Sequence, residues 1–424
     1  MIWLLISLFV ACLLLRFPIA FSLGISCLVY LFVADIPFAV IPMKMYSGID
    51  VFVLLSIPGF ILTGNLMNQG GLTEKIITFC NHLIGHVRGG LALANIGASM
   101  LFAGISGTAI SDTASIGSVM IPAMKKEGYD AAFSCAVTAS SSTVGPIIPP
   151  SVPMIIAATL SGLSVGKLFL AGAIPGLLLG LSLMFVTYFI SVKRKYPKLK
   201  RSTLKQVFTG FLDTFWSLLM TFIILFGIIG GVFTPTEASI IAVLYALLVG
   251  TLIYRKLNFK KILVIVLDSM KTSASLMVLI GFANLFGWIL IIEQLPQLIS
   301  NEIILFSQNK YVVLLLINLL LIVIGTFMET IAALLILFPI LLKVALEVEV
   351  DPIHFAVIAL LNLMIGLTTP PLGICLFVSS SIGKVSITKV SKAGLPFLLI
   401  SLVVLILVTL IPEISLFLPR LLMD

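Results

Sequence analysis

The sequence predicts an all-α integral membrane protein built as an inverted repeat, with two re-entrant hairpins and two broken helices. Three observations carry that prediction. Apolar residues fill 60% of the 424 positions and charged residues only 10%, against roughly 45–50% and about 25% in soluble domains, so most of the chain must face lipid or apolar protein. Apolar runs able to cross about 30 Å of hydrocarbon recur along the whole length. Two further apolar stretches carry Gly and Pro in their middles, and two more look like paired half-helices around a Gly-rich centre.

The plain spans fall at 2–15, 17–34, 51–69, 168–191, 214–232, 237–254, 272–292 and 395–418. Met1 to Leu15 runs straight into Arg16, Phe17 and Pro18 without a small-residue cleavage site, so the first segment is expected to stay in the membrane. Residues 37–50 and 72–87 are too polar to span and read as helices lying along the membrane or bracing a moving part. Stretches 89–124 and 311–343 read as paired half-helices around a Gly-rich centre, and 131–163 and 352–383 as helices interrupted in mid-membrane. Trp3, Trp216 and Trp288 are placed near span ends as interfacial anchors. Cys12, Cys27, Cys80, Cys135 and Cys375 stand singly in apolar runs and read as small core residues. His82 and His86 lie four apart on one helical face, but with no third ligand nearby an interfacial helix is the better reading than a metal site.

The basic loop Lys193, Arg194, Lys195, Lys198, Lys200, Arg201 and Lys205 is expected in the cytoplasm by the positive-inside rule. Counting spans from it puts Lys125, Lys126, Arg255, Lys256, Lys260, Lys261, Lys384, Lys389 and Lys392 on the same side. Glu293, Glu302, Glu347, Glu349 and Asp351 fall on the other. Lys310 and Lys343 are exceptions. The hairpin 89–124 then enters from the cytoplasm and the hairpin 311–343 from outside. Formal charge is +8, but the basic residues collect at the ends of apolar runs, which lipid headgroups and topology explain and nucleic acid does not.

Opposite entry sides suggest an inverted repeat, and the residue spacings agree. Asp112 lies ten residues before Pro122, and Glu329 ten before Pro339; Asp130 lies nineteen before Pro149, and Asp351 nineteen before Pro370. Each half pairs a hairpin with a break: LFAGISGTAISDTAS with SSSTVGPIIPPS, then IVIGTFMETIAA with MIGLTTPPLGICL. Broken backbone in hydrocarbon is tolerated only where it lines a cavity or takes a ligand. Ser106, Gly107, Thr108, Thr143 and Gly145 are therefore candidate sodium ligands in one half, and Gly325, Thr326, Gly366, Thr368 and Thr369 in the other. Half-helix N-termini just after each break aim positive dipole ends into the same space, which suits a carboxylate-bearing substrate.

Asp112 and Glu329 each read as lying about one turn beyond a hairpin tip, and an acid at that depth costs roughly 2.5–3.5 kcal/mol on insertion scales unless compensated. They either shape ion sites, relay protons or cap the returning half-helix. Ser140, Ser141, Ser142 and Thr143 are placed either to hydrogen-bond substrate or to bond their own backbone. Pro149, Pro150 and Pro370 join Ser141, Ser142, Asp112 and Glu329 as candidates for substrate binding or gating. The tips are rich in oxygen ligands and poor in titratable groups, so sodium is the expected coupling ion, with proton coupling as the alternative. No other cofactor is expected.

The stretch G-x-S-G-T-A-x-x-D-T-A-S-I-G from Gly104 to Gly117, P-A-M-x-x-x-G-Y from Pro122, S-S-T-V-G-P-I-I-P-P-S from Ser141 and T-P-P-L-G from Thr369 resemble the large, DctM-like membrane subunit of tripartite ATP-independent periplasmic (TRAP) transporters. The resemblance implies an elevator-type transporter related to the divalent anion–sodium symporters, multi-pass in the bacterial inner membrane. It implies sodium-coupled uptake of an acidic solute such as a C4-dicarboxylate, keto acid or sialic acid. It also implies two protein partners, a small four-helix membrane subunit and a periplasmic substrate-binding protein. Since the chain begins at the large subunit's first span, the small subunit is expected on a separate chain. The implied division is scaffold at 1–87, transport domain at 88–165 and 309–385, scaffold and linking helices at 166–308 with the basic loop 193–205, and a C-terminal span at 386–424.

Rival classes are weaker. An intramembrane enzyme needs a Ser/His or His/Asp pair in one cavity, and the three histidines are placed outside the broken helices. A channel also uses re-entrant hairpins but commonly repeats by assembling identical subunits. A stand-alone anion symporter differs in working without a binding protein. No G-x-x-x-x-G-K-[ST] motif occurs, so the chain offers no P-loop for ATP.

Overall fold

The computed structural model describes residues 1–15, 17–106, 108–295, 297–298 and 309–423, with only the backbone of 104–106. Gly107 and Glu302 lie outside them, as does the side chain of Ser106. Among the described residues the elements are helical. The chain opens with α1 (Ile2–Leu14), α2 (Ile19–Val33) and α3 (Val40–Ile49), then a single 3-10 turn leads into α4 (Ser56–Gln69) and α5 (Leu72–Ile84). The first hairpin is α6 (Gly90–Ser106) with α7 (Ala109–Lys126); the first broken helix is α8 (Ala131–Ser142) with α9 (Val152–Ser161). Four helices follow: α10 (Val165–Lys193), α11 (Leu204–Ile229), α12 (Pro235–Leu248), which a π-helical turn (Val249–Ile253) continues, and α13 (Phe259–Ile292). The second hairpin is α14 (Lys310–Phe327) with α15 (Thr330–Glu347), and the second broken helix α16 (Pro352–Gly366) with α17 (Ile374–Gly383). The chain closes with α18 (Ile387–Leu410) and α19 (Glu413–Met423). Seven described helices are long and apolar enough to cross a bilayer, and the protein is multi-pass in the membrane.

Four of the spaced residues, Asp130, Asp351, Pro122 and Pro339, stand in like local settings. Asp130 caps α8 by accepting from the Phe133 N–H at 2.8 Å, and Asp351 caps α16 by accepting from the Ile353 and His354 N–H groups at 2.8 and 3.2 Å. Pro122 and Pro339 both lie inside the returning hairpin helices. The two Pro-Pro pairs sit in the breaks at 143–151 and 367–373, each joined by a cis bond.

Two packing groups organise the helices. In one, α4 lies against α12 and α13, α2 and α3 against α13, and α5 against α11. In the other, α8 is surrounded by α7, α17 and α18, and α16 by α14 and α15. A buried polar chain ties the second half together: Asn362 donates to the carbonyl and side-chain oxygens of Asn318 at 3.1 and 2.8 Å, and Asn318 donates to Thr409 at 3.0 Å. An Asn362→Leu variant leaves those acceptors unmatched and is expected to lose about 1–3 kcal/mol of stability. Thermal unfolding of the purified variant in detergent reads it, and an unchanged midpoint would show the chain to be dispensable.

Several boundaries differ from the sequence reading, for local reasons. The span at 51–69 is the second part of a pair, α3 and α4, bent by 68° at the polar Asp50. α13 begins at Phe259, well before residue 272, because Asn258 caps it by accepting from the Lys261 N–H at 2.9 Å. α11 begins at Leu204 because Thr203 and Gln206 form a capping box, which leaves Trp216 near the middle of that helix and not at a span end. The last apolar run breaks at Pro412, where α18 gives way to an amphipathic α19 carrying a Glu413–Arg420 ion pair at 2.7 Å. His86 lies past the end of α5, so it shares no helix with His82, whose ring pairs with Ser202 at 2.9 Å.

His354 corrects the placement of the histidines: it lies in the first turn of α16, inside the second broken helix. It is buried, with Nδ1 2.7 Å from Ser415 Oγ. Ser415, in the first turn of α19, also donates to the Pro412 carbonyl at 3.0 Å, so the His354 ring ties α16 to α19.

Candidate functional site

At the first tip, Thr108 caps α7 by accepting from the Ser111 N–H at 3.3 Å. Asp112 is the fourth residue of that helix and is fully buried. It comes directly against Gly145 in the first break: a Cβ added to Gly145 would collide with Asp112 Oδ2. The hydroxyls leading into the break are also buried and bond locally. Ser141 donates to the Thr138 carbonyl at 3.1 Å, Ser142 to the same carbonyl at 2.8 Å, and Thr143 to that of Ser140 at 2.7 Å. Helix α6 braces them, Ser99 donating to Ser141 at 2.9 Å and Asn95 to Thr138 at 2.6 Å. Ser151 caps α9, and Pro149 and Pro150 are buried.

The second half uses the same parts differently. Glu329 stands at the tip itself, not a turn beyond it, and caps α15 by accepting from the Ile331 and Ala332 N–H groups at 3.0 and 3.4 Å. The counterpart of the Asp112 contact is backbone on backbone: a Cβ on Gly366 would lie 2.6 Å from the Gly325 Cα and C atoms. Thr326 is buried and donates to the Val323 carbonyl at 2.7 Å; Thr368 and Thr369 donate to that of Ile365 at 3.0 and 2.9 Å. Pro370 and Pro371 are exposed, unlike their buried counterparts.

The halves exchange their distal pieces. Helix α17, the far half of the second broken helix, packs against α7 of the first hairpin, while α9, the far half of the first, packs against α15 of the second hairpin. Cys375, buried in the first turn of α17, contacts Thr113 and stands within electrostatic reach of both Asp112 and Glu329. The structure thus brings Asp112, Thr113, Gly145 and Cys375 together, and separately Gly325 with Gly366. The sequence marks Cys375 only as a small core residue and does not single out Asn95 or Ser99. Nothing in their spacing marks them, since each is set in place by a helix distant in the chain. Buried oxygen donors beside a carboxylate suit a small hard cation, and the N-terminus of α9 offers N–H groups to an anion. Among the described residues no three His, Cys, Asp or Glu side chains cluster as a metal site.

Comparison with known proteins agrees with this architecture. Residues 6–414 match the family described as the tripartite ATP-independent periplasmic transporter, DctM component. The sialic acid TRAP transporter large permease protein SiaM of Vibrio cholerae is 43% identical over 407 residues, covering 95% of each chain. The C4-dicarboxylate TRAP transporter large permease protein DctM of Pseudomonas aeruginosa is 41% identical over 377 residues, covering 89% of this chain and 88% of its own. Among solved structures, the YdaH transporter of Alcanivorax borkumensis superposes with a TM-score of 0.61 at 15% identity, covering 90% of this chain and 88% of its own, a likeness of fold.

Proposed function

The chain belongs to the DctM component family of tripartite ATP-independent periplasmic transporters, and from that premise we propose that it takes up an acidic organic solute, coupled to sodium, by an elevator movement. The observation that carries the reading is the exchange of pieces between the two halves: each hairpin holds the far half of the other's broken helix. Both candidate sites therefore belong to one body that moves as a unit. The matched acid, Pro, Asp and Pro-Pro positions support an inverted repeat, in which a pseudo-twofold relation lets the same body face either side of the membrane. The transport body comprises 88–165 and 309–385, and the scaffold 1–87 and 166–308.

In this mechanism Asp112, Thr108, Thr143 and Gly145 form one sodium site, and Gly325, Thr326, Gly366, Thr368 and Thr369 supply backbone and hydroxyl oxygens to the other. Sodium, a small hard ion, binds where oxygens are fixed and water is excluded. Its charge at the breaks then strengthens the hold of the half-helix N-termini on the solute's carboxylate. Ser141, Ser142 and the Pro149, Pro150 and Pro370 breaks shape the solute's pocket. Relatives named for sialic acid and for C4-dicarboxylates support the reading of an anionic solute. A small membrane subunit and a periplasmic binding protein complete the transporter, in the bacterial inner membrane.

Uptake of radiolabelled sialic acid and succinate into proteoliposomes holding the chain with its small subunit and binding protein tests the reading. Accumulation of one of these acids that requires both an inward sodium gradient and the binding protein is expected. Sodium-driven uptake without the binding protein would make the chain a stand-alone symporter, accumulation driven by a proton gradient would replace the coupling ion, and downhill flux alone would make it a channel.

A further inference from the structure

A cavity of about 380 Å³ lies between α3, α9, α13 and α15, a volume in the range of small-molecule sites. Among the described residues its polar lining is Lys44, Ser47, Thr159, Asn284, Trp288 and Lys343, with no Asp or Glu. Neither lysine has an ion pair among the described residues. Two ammonium groups around one pocket repel each other, and an anion seated between them relieves both.

The wall bearing Lys44 is fixed. Asn284 of α13 donates to the Lys44 carbonyl at 2.7 Å and to Ser47 at 3.4 Å, and α3 is drawn so close that a Cβ on Gly48 would overlap the Asn284 side chain. The Lys44 ammonium stands 5.1 Å from the Trp288 ring centroid, a cation–π contact that aims it without neutralising it. Lys343 is exposed on α15, the returning helix of the second hairpin. Counted through α10, α11, α12 and α13 from the basic loop, the lining ends of α9, α13 and α15 fall on the face opposite that loop. This gives Lys343, an exception to the charge bias, a local reason to stand there.

We propose that this cavity is an entry site that holds the carboxylate of a soluble organic acid between Lys44 and Lys343 before the acid reaches the helix breaks. The inference rests on the elevator reading for its meaning: α3 and α13 belong to the scaffold and α9 and α15 to the moving body, so the two jaws stand together only when that body faces outward. A carboxylate holds the jaws closed, and descent of the body separates them and frees the acid.

The test uses the full chain in phosphatidylcholine nanodiscs, with Trp3→Phe and Trp216→Phe leaving Trp288 as the single tryptophan, titrated with succinate and with sialic acid at constant sodium. A saturable change in Trp288 emission is expected, weakened about tenfold by Lys44→Gln or Lys343→Gln and kept by Lys343→Arg. No response to either acid, or an equal response in the Lys44→Gln/Lys343→Gln double variant, overturns the proposal. So does a response to phosphatidylglycerol in the disc that neither acid displaces, which would assign the cavity to a lipid headgroup. The titration needs no gradient and no binding protein, so its failure is separable from a failure of coupled uptake.

Discussion

A Gly366→Ala variant is expected to lose uptake at least about tenfold, because its methyl group meets backbone. The added Cβ would stand 2.6 Å from Gly325 Cα and C, and neither atom can rotate away as a side-chain end would. The second hairpin must then separate from the second broken helix, and the oxygens assigned to that sodium site separate with it. Overpacking of this kind costs about 1–3 kcal/mol of stability. Uptake and the thermal midpoint of the purified variant are to be measured together, because a transport loss larger than the stability loss is the signature of a damaged site. Wild-type uptake by Gly366→Ala would show that close approach of the two glycines is not needed.

An Asp112→Asn variant is expected to keep the fold and lose sodium affinity by about a hundredfold, the scale of about 3 kcal/mol for a charged ligand replaced by a neutral one. Asp112 is fully buried against Gly145, and asparagine preserves its shape while removing its charge. The contrast is Glu329→Gln. Glu329 spends its carboxylate on the N–H groups of Ile331 and Ala332, and glutamine keeps an oxygen for them, so most uptake should survive; Glu329→Ala loses the cap at a cost of about 1 kcal/mol. The sodium dependence of uptake in each variant decides the matter. Unchanged sodium dependence in Asp112→Asn would remove this residue from the ion site, and an equal loss in Glu329→Gln would give the second acid the same role.

The two acids also show how far the sequence can be read. Their equal spacing to Pro122 and Pro339 marks both hairpins, and the Gly and Pro-Pro stretches locate both breaks, because a broken helix needs residues that cannot continue one. The spacing does not say which acid becomes a cap. That depends on where the helix restarts: α7 starts at Ala109, capped by Thr108, whereas α15 starts at Thr330, capped by Glu329 itself. The Asp112 contact with Gly145 and the position of Cys375 depend on helices crossing between halves, which no local pattern encodes. Hydropathy likewise ran through Pro412 and ended the last span too late, since α19 keeps an apolar face while lying beyond the break. Lys343 was legible only as a misfit in the charge count, and the cavity gave it a setting.

The elevator claim is tested most directly where the proposed scaffold and the proposed moving body touch. Asn68 of α4 donates to Ser115 of α7 at 2.5 Å, so cysteines placed there as Asn68→Cys and Ser115→Cys lie within reach of a short thiol–thiol cross-linker. The five native cysteines are buried, and each single variant serves as its own control. Cross-linking the double variant in proteoliposomes should arrest sodium-driven uptake while leaving sodium-dependent solute binding intact, and a reducible linker should restore uptake on cleavage. Full uptake by the cross-linked protein would contradict the account, because α4 and α7 would then stay together throughout the transport cycle.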